Sequence, residues 1–144
     1  LRVRLFEAAA VAALLVPACA SAGPVQVIGA WIRALPAGLP AAGYFTLHNT
    51  SAKEVALASA SSPACGMLMM HKSSESNGMG SMEDVRSVAV PAGGTVKFAP
   101  GGYHLMCMNP TAAIKPGGNV PVKLGFSDGS QVAALFAVRN AQGK

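Results

Sequence analysis

The chain has 144 residues, of which 51% are hydrophobic and only 12% charged, with a formal net charge of +5, three histidines, three cysteines and seven methionines. Its basic residues are scattered singly with no aromatic interleaving, which argues against nucleic-acid binding and leaves an acidic partner surface as what mild basicity suits. The length supports one domain with one core and is too short for two.

Residues 1–22 open with Leu1-Arg2-Val3-Arg4, continue as an apolar run to Val16 and close with Pro17-Ala18-Cys19-Ala20-Ser21-Ala22. This is the layout of a secretory signal peptide, with small residues that allow cleavage after Ala20 or Ala22, and the run is too short to span a membrane. A lipoprotein acylated at Cys19 is the competing reading; Pro17 makes a poor lipobox. Residues 23–144 are then a single exported domain, expected in the periplasm, with nine basic and five acidic residues and a net charge of +4.

This remainder is rich in Gly, Pro, Val, Ala and Thr, and short apolar runs are broken by turn residues every eight to twelve positions, the pattern of an all-β sandwich. Strands are expected near Val25–Arg33, Ala42–Asn49, Glu54–Ser59, Gly66–Lys72, Met82–Val90, Thr95–Ala99, Tyr103–Met108, Pro121–Phe126 and Gln131–Val138. About nine strands can close two packed sheets over one core. Trp31 reads as a core residue, and His48 as a strand-end or edge residue away from any site. Asn77-Gly78, inside a polar run, marks a hairpin that brings the strand of His71 beside that of Met82 and places the site near the surface.

Chemistry concentrates in Tyr103-His104-Leu105-Met106-Cys107-Met108 and in Met67-Leu68-Met69-Met70-His71. Side chains alternate along a strand, so His104, Met106 and Met108 share one face and Leu105 and Cys107 the other. Residues two apart lie roughly 6.5 Å from each other, a gap that an imidazole and a thioether can close around one ion. Such donors are neutral and soft, suited to Cu(I) and poor for metals that prefer oxygen. The bland alternative is a buried strand with methionines as adaptable filler.

The full spacing, His71-x10-Met82-x21-His104-x-Met106, resembles the copper motif of the PCu(A)C family of periplasmic copper chaperones. Ala92-Gly93-Gly94, Pro100-Gly101-Gly102 and Leu124-Gly125-Phe126 are similar to that family's turn and strand signatures, and the likeness covers about residues 25 to 138. The resemblance implies a cupredoxin-like or immunoglobulin-like Greek-key sandwich. It also implies one Cu(I) on His71, Met82, His104 and Met106, and delivery to the CuA domain of cytochrome c oxidase subunit II, directly or with a Sco-type protein. Met69, Met79 and Met108 are candidate secondary copper contacts.

Strand parity separates Cys65, on the His71 face, from Cys107, which points away from His104. Cys107 is therefore read as a small buried core residue, with a Cys65–Cys107 disulfide and copper ligation as alternatives. Copper storage or resistance would use the same donors, and a blue-copper electron carrier would need a histidine pair with a cysteine thiolate. No Gly-x-Ser-x-Gly elbow, His-Glu-x-x-His pair or paired acids placed for proton transfer points to an enzyme.

Overall fold

Alternation decides what this chain buries. In β9 (Asn119–Phe126) Val120, Val122, Leu124 and Phe126 are buried while the residues between them are not, the pattern of a strand with one face on a core and one toward solvent. Phe45 and Leu47 in β2 (Ala41–Asn49) and Phe136 and Val138 in β10 (Gln131–Arg139) point inward in the same way.

The structure, a computed structural model, describes residues 23–36 and 38–144; the expected signal peptide and Cys19 lie outside the described residues. The remaining strands are β1 (Val25–Arg33), β3 (Val55–Ser61), β4 (Cys65–Ser76), β5 (Met79–Val85), β6 (Val88–Val90), β7 (Thr95–Phe98) and β8 (Tyr103–Pro110). Hydrogen bonds link all ten in the order β5-β4-β8-β7-β2-β1-β10-β9-β3-β6, with β8 also paired to β2. Among the described residues only β1–β10 and β7–β8 run parallel. The sheet curls on itself: β3 lies against β4 and β6 against β2, although each pair is far apart in strand order. One core fills the space so enclosed, with Ile32, Leu47, Leu57, Phe98, Leu124 and Phe136 among its fully buried members.

The all-β, cupredoxin-like sandwich expected from the sequence is the observed fold, with ten strands among the described residues in place of nine. The stretch expected as one strand over Met82–Val90 breaks at Arg86-Ser87 because its halves face different surroundings. β5 buries none of its residues and pairs with β4, whereas Val88 and Val90 enter the core and pair with β3.

Trp31 is not a core residue. Gly29 takes a left-handed φ of 63° at a register shift between Ile28 and Trp31, a bulge that inverts the alternation. Ile32 consequently drops into the core at 1% exposure. Trp31 turns to the outer face, 4.8 Å from the Tyr44 ring and with the Arg33 and Arg139 guanidinium carbons 5.5 and 4.9 Å from its own.

Cys65 and Cys107 form a disulfide, Cα atoms 5.4 Å apart, which corrects the reading of Cys107 as an unbonded core residue. Parity counts only along regular strand. Cys65 is the first residue of β4, its amide still bonded to the Ser62 carbonyl in the preceding turn, and Asn109 in β8 is left-handed with φ 48°. At that strand end the two side chains turn toward each other.

Asn49 ends β2 fully buried, and its amide is satisfied on every side. Nδ2 donates to the carbonyls of Lys53 (2.7 Å) and Val90 (3.1 Å), while Oδ1 accepts from the Ser51 amide and hydroxyl. Asn49→Leu strands these groups away from water, so it is expected to lower stability by about 2–3 kcal/mol, measured by urea unfolding of the disulfide-bonded domain. A loss within 0.5 kcal/mol, on the order of an ordinary surface change, would show that the amide is not a fastening point.

Candidate metal centre

The site is assembled by two strand pairings. Asn77 and Gly78, with φ of 52° and 74°, form the two-residue loop between β4 and β5, both residues left-handed as a type I′ turn requires. That turn sets the register in which Ser73 faces Met82 and His71 faces Asp84. On the other side of β4, β8 pairs His71 with His104, Met69 with Met106 and Met67 with Met108. Directly opposed residues project from the same face, so these six side chains occupy the outer face. Met70, Leu105 and Cys107, which alternate with them, are buried in the core.

His71 Nδ1 lies 3.3 Å from Met82 Sδ. The His71 and His104 rings are 5.6 Å apart between centroids and nearly perpendicular, at 79°. His104 is only 4% exposed, and its Nδ1 is 3.3 Å from the Gly102 carbonyl. In the tautomer that donates this hydrogen bond, Nε2 keeps its lone pair free for a metal. Met106, half-buried, stands two residues from His104 on the same face, while Met82 is 55% exposed at the rim. The site therefore grades from a buried imidazole to an open thioether.

His71 Nε2 comes within 2.8 Å of Asp84 Oδ1. The carboxylate lies out of line with the ring N–H, so this buried nitrogen makes no hydrogen bond despite the short distance. The Asp84 carboxylate thus places negative charge beside Nε2 without a hydrogen bond to fix the ring, and Nδ1 is the ring nitrogen beside the Met82 sulfur. Counting back from Asn77-Gly78 places Asp84 opposite His71, a signal present in the sequence itself.

Of the candidate secondary contacts, Met69 and Met108 lie on the face of the histidines. Met79 pairs with Ser76 beside the turn, on the opposite face and 75% exposed. Among the described residues no group of three or more His, Cys, Asp and Glu side chains comes together to hold a metal. A metal at His71 and His104 must therefore recruit thioether sulfur, and that donor set fits Cu(I). The disulfide ties up Cys107, which removes the thiolate that a blue-copper site needs.

Fold and donor set together define a β-sandwich domain with a soft-metal site on its outer face. The chain belongs to the LpqE-like family, described as "Putative lipoprotein LpqE-like", which it matches over residues 25–138. It is 34% identical over 155 aligned positions to "Putative lipoprotein Lxx21020" of Leifsonia xyli subsp. xyli, spanning 97% of this chain and 93% of that one. Among solved structures it resembles Cu(I)-bound DR1885 of Deinococcus radiodurans, with 32% identity, a TM-score of 0.67 and coverage of 83% of this chain and 81% of that one. The copper-bound PCuAC domain from PmoF2, at 20% identity and a TM-score of 0.69 over 83% of this chain and 96% of that one, has the same fold. The PCu(A)C resemblance read from the sequence is thereby borne out.

Burial holds the pKa of His104 below the ordinary 6.5; the Gly102 carbonyl opposes this and the charge of His71 adds to it. A lowered histidine pKa means that the unfolded chain takes up the proton first on acidification. The stability tied to neutral His104 is thus present above the unfolded pKa and is lost as pH falls from there toward the folded value. The thermal midpoint of the metal-free domain is expected to fall between about pH 7 and pH 5, with a shallower fall in His104→Gln. Parallel curves for the two proteins would show that the buried imidazole does not drive the change.

Proposed function

We propose that this chain is an exported copper chaperone that holds one Cu(I) on His71, Met82, His104 and Met106 and delivers it to the CuA centre of cytochrome c oxidase subunit II, directly or with a Sco-type partner. The observation that carries the reading is the convergence of Met82 Sδ on His71 Nδ1, with His104 directly across the pairing and its Nε2 free. The 32% identity to a protein solved with Cu(I) supports the choice of metal.

The chemistry of the donors suits carriage. Imidazole and thioether are neutral, and thioethers resist loss in an oxidising compartment where free thiols pair or oxidise. Buried His104 retains the ion, whereas exposed Met82 gives way first when a stronger ligand from the acceptor approaches. The process is ligand exchange, so the reading is a binding and delivery protein and not an enzyme.

The same outer face carries Arg33 and Arg139, directly opposed across β1 and β10 and without an ion-pair partner among the described residues. Continuing the β2 pairings, Arg33 stands opposite Ala42, which stands opposite Met106. An acidic acceptor surface would meet these cations as it covers the site. Export fits relatives named as lipoproteins, and they favour the anchored form at Cys19 more than its weak lipobox does alone.

Mixing the Cu(I)-loaded protein with an apo CuA domain is expected to move copper to the acceptor, more slowly at high salt and in Arg33→Glu. His104→Ala should weaken Cu(I) binding the most, Met82→Ala the least, as read by chelator competition. If both His71→Ala and His104→Ala bind Cu(I) like the parent, the site is misassigned. If binding is intact but no copper reaches the acceptor, storage replaces delivery.

A further inference from the structure

We infer that Met67, Met69 and Met108 form a second, weaker Cu(I) site on the outer face, adjoining the first through Met106. The inference takes from the proposed function only the choice of metal. It rests on the β4–β8 register: two consecutive outward positions on each strand are methionine, Met67 opposite Met108 and Met69 opposite Met106, and the next such pair is His71 opposite His104. Four thioethers thus lead directly to the imidazoles.

Packing does not account for them. Met70 is the methionine of these strands that fills the core, at 7% exposure, whereas Met67 is 56% exposed and Met69, Met106 and Met108 are half-buried. Leucine or valine would serve a purely apolar strand face as well. Geometry permits a common ion, since opposed residues have Cβ atoms about 5 Å apart and successive positions on one face are roughly 7 Å apart. The unbranched methionine side chain, with three rotatable bonds, can bring its sulfur to the centre of that rectangle.

The surroundings select the ion. No carboxylate occurs in Cys65–Met70 or Tyr103–Pro110, so Ca or Mg would lack the set of oxygen donors it needs there and Zn its imidazoles or thiolates, while thioethers accept Cu(I). Asp84 and Arg86 line the adjoining groove together with Leu68, Met69 and Met70, so their opposite charges offset one another there. No imidazole takes part, which makes this site weaker than the first. Copper stays Cu(I) throughout and no proton moves, because every ligand is neutral. A Cu(I) arriving at exposed Met67 passes to the histidines by exchanging one thioether at a time, with Met106 the last before His104.

The test titrates the metal-free, disulfide-bonded protein anaerobically with Cu(I) held by a weak competing chelator, following each methionine methyl by NMR alongside copper stoichiometry. Two equivalents are expected, the first shifting the methyls of Met82 and Met106 and the second those of Met67, Met69 and Met108. In Met67→Leu/Met108→Leu the stoichiometry should fall to one, with the first affinity changed less than twofold. A single equivalent in the parent, or a second that persists undiminished in the double variant, overturns the second site. Failure of the first site is read separately, as Met82 and Met106 methyls that do not move, and it leaves the signals of Met67 and Met108 to decide this inference.

Discussion

The centre depends on the register between β4 and β8. Because side chains alternate with a period of two, a slip by one residue would turn every outward position inward, sending His71 and the methionines into the core and Met70 to solvent. The register is held from beneath by Met70, Leu105 and Cys107, all buried, and at one end by the disulfide. The face that binds is thus specified by the face that packs. A core residue such as Leu105, buried on the inner face between His104 and Met106, still decides where His104 points.

Much of this was legible because it depends on local rules. The two-residue spacing of His104 and Met106 fixes their common face on any regular strand, and Asn77-Gly78 has the two left-handed residues of its turn written in its composition. What could not be read depended on departures from regularity. Gly29 inverts the alternation of β1 and carries Trp31 outward; a glycine inside a strand is itself a hint of a bulge, and parity carried straight through it puts Trp31 on the wrong face. The cystine escaped for a related reason: parity was carried to the strand end, where the turn before Cys65 and the left-handed Asn109 suspend it. That β8 should lie beside β4 is a property of the whole topology, to which the spacing of residues is blind.

The gradient of burial across the site separates two demands that one uniform pocket could not meet. A carrier must keep its ion from water and from adventitious ligands, yet must surrender it to a partner. His104, enclosed and within hydrogen-bond reach of the Gly102 carbonyl, would as a ligand meet the first demand. Met82, on a strand with no buried residue, is open to an approaching partner and as a ligand would meet the second. The carboxylate of Asp84 beside His71 supplies negative charge, which would offset part of the charge of an ion held on the proposed ligands while leaving each of them neutral.

The disulfide joins residues 42 positions apart, and His71, Met82, His104 and Met106 all fall between its ends. The proposed donors therefore belong to a single covalent macrocycle, closed wherever thiols are oxidised. Unfolding the sheet does not open that ring, so the donors of a denatured chain stay confined near one another, and closing such a loop removes about 4 kcal/mol of chain entropy from the unfolded state. A cut anywhere outside the ring leaves the full ligand set on one connected piece. Within the ring, the exposed tip between β4 and β5 is the place where a protease could divide His71 from Met82, and even then the cystine would keep the two halves together.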